Sequence, residues 1–346
     1  MELNQTRIGE ARATSGEVGL RFSAVIVNYN GGDMLANCIH SALQEGMHPE
    51  QIIVIDNGSK DNSPAGIETR SPGVQIIRNR CNAGFARAVN QGLRRASGEF
   101  ILLLNNDAQL QPGALRAFAE AFDKISGLAI AGGQLRYPDG RLQNAFAPFP
   151  TLASELLPNT WLQYFAPSRF QRKSDATDPF AVESVIGACL AVRGSTLPAL
   201  GLLDEDYFFF WEETEWCLRA RRLGFQVYHL PAARVVHLQG NTANRFHAGA
   251  RVEFQRSKLI FFKKNRGLTA FYGVSALLIL GTLINALGNS ALCIAILFAM
   301  RSVRRKARIY WYLMTWHLLG RPAGWGLPDK CEKSSAQPVQ ETDVRA

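Results

Sequence analysis

The sequence predicts an α/β fold with a mostly parallel, doubly wound sheet, and three observations support this class. With 346 residues and 47% hydrophobic content, the chain can bury one large core or two modest ones. Four short apolar runs of strand length occur at residues 22–27, 52–55, 74–77 and 100–104. The segments between them carry apolar residues at helical spacing, as Leu35, Ile39 and Leu43 do. Alternation of buried strands with amphipathic helices is typical of parallel sheets covered on both faces.

Polar side chains follow each of these four predicted strands. The carboxyl ends of parallel strands meet at one edge of the sheet, and ligands bind at that edge in open α/β folds. We therefore expect these side chains to converge on one cleft. They are Asn28, Tyr29 and Asn30 after the first strand, Asp56 and Asn57 after the second, Asn79 and Asn82 after the third, and Asn105, Asn106 and Asp107 after the fourth.

The second half of the chain adds further predicted elements. Residues 134–182 show little periodicity and are predicted to be long loops with short helices on the acceptor side of the cleft. A strand at 184–192, a helix beginning at Glu212 with Gly224 as its C-cap, and strands at 225–230 and 234–238 follow. The predicted organisation is an N-terminal extension (1–21), an α/β domain (22–267), membrane-associated helices (268–320) and a disordered tail (321–346).

The segment from 268 to 300 is uncharged over a length sufficient to cross a bilayer, for which about twenty apolar residues suffice. A buried helix of a soluble protein is the alternative. Basic residues flank the run on both sides, and this disagrees with a single span under the positive-inside rule. Gly288 and Asn289 divide the run, so we expect a helical hairpin or an in-plane segment, followed by an aromatic interfacial helix at 309–319.

The distribution of charged residues and cysteines indicates which partners the protein binds and in which compartment it lies. The net charge of +9 is concentrated beside the apolar run, which favours anionic lipid over nucleic acid, and no nucleic-acid-binding signature is present. The six cysteines are scattered without a C-x-x-C pair, so we expect reduced thiols rather than a disulfide framework. The first twenty residues lack an export signal, and we expect the α/β domain to lie on the cytoplasmic face of the membrane, attached peripherally or through its C-terminal part.

Two residues are candidates for binding a metal ion. Asp107 follows a buried strand, where a carboxylate either closes a turn or binds a hard divalent cation together with phosphate oxygens. His237 also ends a predicted strand, and an imidazole there is either structural or part of a metal–diphosphate site. Imidazole suits Mn²⁺ better than Ca²⁺.

An acidic cluster follows an aromatic run at the start of the predicted helix. Trp211 precedes Glu212, Glu213 and Glu215. Carboxylates in the first turn stabilise a helix through its dipole, which is one interpretation. The other is that a glutamate beside an aromatic platform acts as a general base on a sugar hydroxyl.

Six motifs follow one another along the chain: VIVNYNGG (25–32), IIVIDNGSKDNS (52–63), RCNAGFARAVNQG (80–92), LLLNNDAQL (102–110), FFFWEETEWCLRARRLGF (208–225) and RVVHLQGNT (234–242). Taken in order, they closely resemble those of the family-2 glycosyltransferases of GT-A fold, and in particular a rhamnosyltransferase-like branch. The likeness runs from about Phe22 to Gly267, and the galactofuranosyltransferase-like branch is also similar. No G-x-G-x-x-G follows the first strand, and the sequence contains no P-loop motif.

The resemblance implies a role for each candidate residue. Asp107 matches the last acid of the family's metal-binding D-x-D motif. The first acid of that motif is replaced by Asn105 in this sequence. His237 matches a later metal-binding histidine. Glu213 matches the general base, although the family more often has Asp at this position. The resemblance implies Mg²⁺ or Mn²⁺ as cofactor. Acceptor binding falls to Trp211, Glu212 and Glu215, and nucleotide-sugar binding to Asn28, Tyr29, Asn30, Asp56, Asn82 and Asn106, with Asp56 accepting from a pyrimidine base.

The expected function is therefore an inverting glycosyltransferase of cell-surface polysaccharide synthesis. The donor is expected to be dTDP-rhamnose or a UDP-sugar, and the acceptor a glycan or lipid-linked glycan hydroxyl. The departure at Asn105 keeps open a catalytically inactive, nucleotide-sugar-binding protein of the same fold. A nucleotidyltransferase is a weaker alternative, because a Gly-rich loop containing Arg and Lys is absent after the first strand.

Overall fold

A computed structural model describes residues 15–170, 176–238 and 247–331 of the chain. Most of the predicted N-terminal extension and of the predicted tail therefore lies outside the described residues. The strands are β1 (Phe22–Asn28), β2 (Ile52–Asp56), β3 (Gln75–Arg78), β4 (Phe100–Asn105), β5 (Ala108–Leu110), β6 (Leu128–Arg136), β7 (Phe146–Ala147), β8 (Phe180–Ala181), β9 (Ser184–Val185), β10 (Cys189–Arg193) and β11 (Gln226–His237).

The helices alternate with these strands in the first part of the chain and become continuous in the last part. They are α1 (Ser15–Gly19), α2 (Asp33–Gln44), α3 (Ser63–Arg70), α4 (Phe85–Arg95), α5 (Ala114–Lys124), α6 (Leu152–Leu156), α7 (Asn159–Phe165), α8 (Pro167–Phe170), α9 (Leu197–Leu200), α10 (Glu212–Arg222), α11 (His247–Asn265), α12 (Leu268–Ala295) and α13 (Arg301–Leu318).

One sheet organises the molecule, and the predicted α/β class is confirmed. Within the described residues its strand order is β3-β2-β1-β4-β10-β6-β11-β5, with β8 also paired to β11. The first four strands in this order are parallel, as the sequence predicts. In the other half, β10 runs antiparallel to both β4 and β6, and β5 runs antiparallel to β11. The sheet is therefore mixed rather than mostly parallel.

The core lies on both faces of this sheet. β1, β2 and β4 are buried almost throughout, which explains why they read as continuous apolar runs. Phe100 stacks on Phe122 of α5, with ring centroids 4.4 Å apart. Gly92 of α4 sits against Val25, where a Cβ would overlap the valine side chain, so this helix packs closely on β1. The packing fixes the carboxyl ends of β1, β2 and β4 at one edge.

The C-terminal helices form a hairpin, but not the one that the sequence predicts. α12 runs unbroken through Gly288 and Asn289, where the Asn289 amide donates to the Asn285 carbonyl. The chain reverses after α12, and α13 packs back along it, with Trp311 Nε1 donating to Ser290 Oγ at 3.0 Å. By its length and composition, α12 is apolar enough to cross a membrane. An 18-residue stretch of this helix has a mean hydropathy of 1.8, and 22% of that stretch is buried.

Residues 321–331, which we call the C-terminal strap, cross back to the edge of the sheet. The sequence assigns them to a disordered tail, and this is wrong for the strap. Buried Glu253 of α11 accepts from Lys330 Nζ at 2.5 Å and from Leu327 N–H at 3.1 Å. Asp329 accepts from Tyr29 Oη at 2.6 Å. These contacts tie the strap to both the helical region and β1.

A disulfide between Cys81 and Cys331 joins the strap to the loop before α4, which corrects the expectation that all thiols are reduced. The two residues are 250 positions apart, so their spacing carries no pairing signal. The neighbouring backbone is also paired, because Asn82 N–H donates to Asp329 O at 2.8 Å and Cys331 N–H donates to Asn82 O at 3.0 Å. The strap is therefore held at this edge by the disulfide and by the main-chain bonds together.

Candidate active site

A cleft of about 320 Å³ opens at the carboxyl edge of the sheet, where the sequence predicts it. Its walls come from the ends of β1, β4 and β11, from the loop between β9 and β10, and from the start of α10. Leu327 of the C-terminal strap adds to the lining. The polar side chains that line it are Tyr29, Asn57, Asn82, Asn105, Asn106, Asp107, Glu212, Glu213 and His237.

Asp107 and His237 meet in this cleft because β5 pairs with β11. The register places His237 opposite Ala108, and Leu238 N–H donates to Asp107 O at 3.0 Å. His237 Nε2 lies 3.3 Å from Asp107 Oδ1, and both side chains are buried. The sequence predicts both residues but cannot show that they are neighbours, since 130 residues separate them in the chain.

Gln143 determines which ring nitrogen of His237 carries a proton. Its Nε2 donates to the His237 carbonyl oxygen at 2.6 Å, which can only accept, so the amide orientation is set. Its Oε1 then accepts from His237 Nδ1 at 2.9 Å. In the neutral ring this leaves a lone pair on Nε2, facing a carboxylate oxygen. Two facing acceptors are stabilised by a cation or a proton between them, so the pair fits a metal ion.

The described residues contain no cluster of three or more His, Cys, Asp or Glu side chains of metal-binding geometry. Asp107 and His237 would thus be two protein ligands of such an ion. Hard divalent ions commonly keep waters and take further oxygens from a bound phosphate. The donor set therefore fits an ion completed by a diphosphate ligand.

Glu213 enters the cleft from the first turn of α10. Phe210 and Trp211, directly before the helix, have φ angles of 71° and 74°, a left-handed conformation that is uncommon for bulky residues. This turn sends the chain into α10 beside the cleft. Burial raises the pKa of Glu213, although backbone N–H groups including those of Thr214 and Gly187 oppose the shift. A carboxylate with a raised pKa is a stronger base when ionised.

Glu212 lies beside Glu213 and is more deeply buried, with 4% of its surface exposed. Burial, with a further contribution from the neighbouring Glu213 charge, raises its pKa well above the usual range. Its Oε2 has no hydrogen-bond partner among the described residues. Burial and the neighbouring charge therefore favour the neutral, protonated form of Glu212.

We expect Glu212→Gln to stabilise the protein, and more so as pH rises. The folded-state pKa of Glu212 is raised above the unfolded value, so the folded state holds its proton while the unfolded state releases it. Stability is thereby lost as pH rises above about 4.3, the ordinary glutamate value. The variant removes this contribution. Urea-unfolding midpoints at pH 5 and pH 8 measure the effect.

Exposed Glu120, on α5, is the control for the Glu212 substitution. Glu120→Gln is expected to change the free energy of unfolding by no more than about 0.5 kcal/mol at either pH. A Glu212→Gln protein that is less stable than wild type at pH 8 would contradict the assignment.

The predicted nucleotide-binding residues divide into two groups. Tyr29, Asn82 and Asn106 line the cleft. Asn28 is fully buried behind it, where its amide donates to Ser59 and Ser63 hydroxyls and accepts from Asn106 Nδ2 at 2.9 Å. The second group also includes Asp56, which accepts from Ser59 N–H, and Asn30, whose Oδ1 accepts from Lys60 N–H at 2.7 Å. This second group supports the edge of the sheet from outside the cleft lining.

Two predicted acceptor-binding residues lie away from the cleft. Arg219 holds the Glu215 carboxylate by a bidentate ion pair, with a closest distance of 2.7 Å. Trp211 packs against Phe254 and Phe261, with ring centroids 5.6 and 5.4 Å away. Helix geometry explains why Glu215 does not enter the cleft with Glu213. Glu215 lies two residues further along α10, so its side chain points about 200° around the helix from that of Glu213.

Three residues at the cleft or next to it receive no role from the sequence. Asn57, which the sequence places at the edge without a role, donates to Asn82 Oδ1 at 3.0 Å and accepts from Asn79 Nδ2 at 3.1 Å. Gln143 lies in a region that has no periodicity, and Leu327 lies in the C-terminal strap. The strand-end position of Asn57 predicts its place at the cleft, whereas the sequence around Gln143 and Leu327 carries no such signal.

Comparison with known proteins agrees with the motifs. Residues 23–193 match the model of the family described as glycosyl transferase family 2. The chain is 26% identical over 257 residues to an N-acetylglucosaminyl-diphospho-decaprenol L-rhamnosyltransferase of Mycobacterium tuberculosis, covering 68% of this chain and 82% of that protein. It is 24% identical over 251 residues to a low-salt glycan biosynthesis hexosyltransferase of Haloferax volcanii, covering 70% and 76%.

Among solved structures, the chain is similar to a mannosyltransferase from Pyrobaculum calidifontis in complex with GDP-mannose and Mn²⁺. The TM-score is 0.48 at 15% identity, covering 87% of this chain and 88% of that one. The family assignment does not depend on this similarity. It follows from the family match together with the ordered motifs that converge on the cleft, and residues 23–193 of the chain form a glycosyltransferase family 2 domain.

Proposed function

We propose that the protein is an inverting glycosyltransferase that moves a sugar from a nucleotide diphosphate donor to a hydroxyl of a lipid-linked glycan. The observation that carries the proposal is the meeting of Asp107, His237 and Glu213 in one cleft. The 26% identity to a rhamnosyltransferase supports dTDP-rhamnose as the donor, with a UDP-sugar as the second choice. The mycobacterial relative's lipid-linked substrate supports the acceptor class.

In the proposed reaction, Glu213 accepts the proton of the acceptor hydroxyl. The hydroxyl oxygen forms a bond to the anomeric carbon as the bond from that carbon to the nucleotide diphosphate breaks on the opposite face. One displacement inverts the anomeric configuration and needs no covalent intermediate. The raised pKa of Glu213 makes it a stronger base than an exposed glutamate.

Asp107 and His237 would hold Mg²⁺ or Mn²⁺ in the same cleft. When bound, such an ion supplies positive charge that stabilises the departing diphosphate. Asn82, Asn106 and Tyr29 line the same cleft and are available to the nucleotide sugar. The exposed apolar surface of α12 and the basic start of α13 support attachment to the cytoplasmic face of the membrane, beside a lipid-linked acceptor.

A donor screen tests the proposed function. The full-length protein is incubated with dTDP-rhamnose or individual UDP-sugars, with Mg²⁺ or Mn²⁺, and with a lipid-linked or a soluble glycan acceptor. Mass spectrometry detects the nucleotide diphosphate and the product, and NMR gives the anomeric configuration of the product. Binding of a donor without transfer or hydrolysis under any of these conditions would favour the inactive nucleotide-sugar-binding alternative.

Gln143→Leu is expected to weaken Mn²⁺ binding by about 10- to 100-fold, the usual effect of losing the partner of a metal-binding histidine. Leucine cannot accept from His237 Nδ1, so the ring is free to place its proton on Nε2 instead. Isothermal titration calorimetry or the electron paramagnetic resonance signal of free Mn²⁺ measures the affinity.

Gln134→Leu is the matched control, because this buried amide bonds to the ring of His229 outside the cleft lining, and Mn²⁺ affinity is expected to stay at the wild-type level. Thermal midpoints of both variants report any loss of folding. Wild-type Mn²⁺ affinity in Gln143→Leu would show that His237 orientation does not depend on this amide.

A further inference from the structure

A second cavity, of about 550 Å³, lies among α11, α12 and α13. Its volume is within the range of about 300–1,000 Å³ typical of small-molecule sites. Phe210 lines both this cavity and the cleft, so a single aromatic residue borders the two. Its lining also includes Leu277, Leu278 and Leu313, which makes most of its wall apolar. The cavity therefore extends the cleft region towards the C-terminal helices.

The cavity opens on an unusually apolar surface. Arg251 and Phe254, which line it, are exposed. Further along the outer side of α12, Leu280, Ile284 and Leu287 are 54%, 60% and 52% exposed. A soluble protein rarely exposes a contiguous apolar patch of more than a few hundred Å², and larger patches mark binding surfaces. A ligand with a long hydrocarbon chain matches this surface.

Positive charge accompanies the apolar wall. Within the part of the chain that the structure describes, the Arg251 guanidinium pairs with no carboxylate, and it lies 5.2 Å from the centroid of the Tyr310 ring. The first turns of α13 add five further cations: Arg301, Arg304, Arg305, Lys306 and Arg308. An apolar cavity with an unpaired arginine is complementary to a ligand that joins a hydrocarbon chain to a phosphate group.

We propose that this cavity binds the isoprenoid chain of a lipid diphosphate acceptor, with Arg251 contacting the diphosphate. The inference rests on the proposed function, in which the acceptor is lipid-linked. The border at Phe210 favours a substrate over a structural phospholipid, because a chain held here lies beside the cleft that contains Glu213. The site thereby selects acceptors by their lipid as well as by their sugar.

Gly281 allows the cavity to be filled without a clash. It lines the cavity on α12, and an added Cβ meets nothing within 4 Å. Gly288, two turns along the same helix, is equally open and lies outside the cavity lining, so it provides a matched control. Replacing a helical glycine by leucine also favours the helix, so both variants are expected to fold.

The first test measures sugar transfer by the full-length protein to two acceptors with the same sugar diphosphate, one with a long isoprenoid chain and one with a short soluble chain. Gly281→Leu is expected to lower kcat/KM about 10-fold for the long-chain acceptor, as when a few methylene groups lose their burial. The short-chain acceptor and Gly288→Leu are expected to change less than about 2-fold. An equal loss for both acceptors, or no loss, would overturn the proposal.

The second test is independent of sugar transfer. A diazirine-bearing polyisoprenyl diphosphate is photocrosslinked to the full-length protein in detergent, and labelled peptides are mapped by mass spectrometry. Labelling is expected at residues 277–282 and 310–313. It should fall about 10-fold in the Gly281→Leu protein and stay at the wild-type level in the Gly288→Leu protein. Arg251→Gln should reduce labelling by the diphosphate probe but not by the corresponding isoprenol. Labelling spread evenly over α12, or abolished by excess phospholipid, would contradict an isoprenoid site.

The two tests separate the cavity from the proposed function. Labelling at the expected peptides with no sugar transfer to any lipid-linked acceptor supports the cavity and overturns the proposed acceptor. Transfer to a long-chain acceptor that Gly281→Leu leaves unchanged supports the acceptor class and overturns the cavity.

Discussion

Glu213→Gln is expected to lower the rate of sugar transfer by about 10²- to 10⁴-fold, the usual contribution of a general base. The amide keeps nearly the same shape but cannot take the hydroxyl proton. Donor affinity should remain within about 3-fold of wild type, because the proposed donor contacts do not involve this side chain. Single-turnover transfer measures the rate, and calorimetric titration with the nucleotide sugar measures the affinity.

Glu215→Gln is the matched control for this substitution. It removes a carboxylate from the same helix, two residues away, but Glu215 is held by Arg219 outside the cleft lining. Its transfer rate should stay within about 3-fold of wild type, since Glu215 lies outside the cleft lining, and its thermal midpoint reports any loss of the ion pair. A large loss of donor affinity with substantial remaining transfer in Glu213→Gln would assign Glu213 a structural role instead.

The pH dependence of the wild-type protein provides a further check on Glu213. Burial raises the pKa of this carboxyl group, so its ionised form is depleted at a higher pH than that of an exposed glutamate. The acid limb of kcat/KM should therefore lie above pH 4.3, roughly the ordinary glutamate value. In Glu213→Gln this limb should be absent from the residual activity.

Asp107→Ala is expected to reduce metal-dependent transfer by at least about 10²-fold, comparable to the loss of an electrostatic group at a developing charge. The carboxylate is one of only two side chains in the proposed metal site, and His237 alone is a weak ligand set. Transfer rates measured across a Mn²⁺ titration should show both a lower maximum and a higher metal requirement.

Two controls accompany the Asp107 substitution. Asp139→Ala removes an exposed carboxylate outside the cleft lining, which pairs with Arg141, and should leave transfer and metal requirement unchanged. Asp107→Asn keeps one oxygen ligand without its charge and should fall between wild type and Asp107→Ala. A wild-type rate with the same metal requirement in Asp107→Ala would show that the metal role is wrong.

The strands that carry the site are visible in the sequence because they are local and simple. β1, β2 and β4 are buried almost throughout, so each appears as a continuous apolar run followed by polar residues. The sequence does not predict β6, because its residues LAIAGGQLR include two glycines and a glutamine. Eight of its nine residues are nevertheless buried. Those glycines are required by packing, since a Cβ at Gly132 would lie 2.6 Å from Val185.

The C-terminal part shows how tertiary contacts override composition. Residues 321–331 are polar and contain proline, and by composition they resemble a disordered tail. Their order comes from partners elsewhere in the chain: Glu253, Tyr29, Asn82 and Cys81. Likewise, Gly288 and Asn289 suggest a break that α12 does not have, because the Asn289 side chain bonds within the helix and α13 packs alongside it.

The sequence by itself determined the family, the polar edge of the sheet and the acidic start of α10, because each depends on residues close together in the chain. The tertiary structure decided which of these residues face one another. Helix geometry turns Glu213 into the cleft and Glu215 towards Arg219, and the pairing of β5 with β11 brings His237 to Asp107. Gln143 and the C-terminal strap reach the site only through folding, since contacts across about a hundred residues or more leave no local pattern for a single sequence to show.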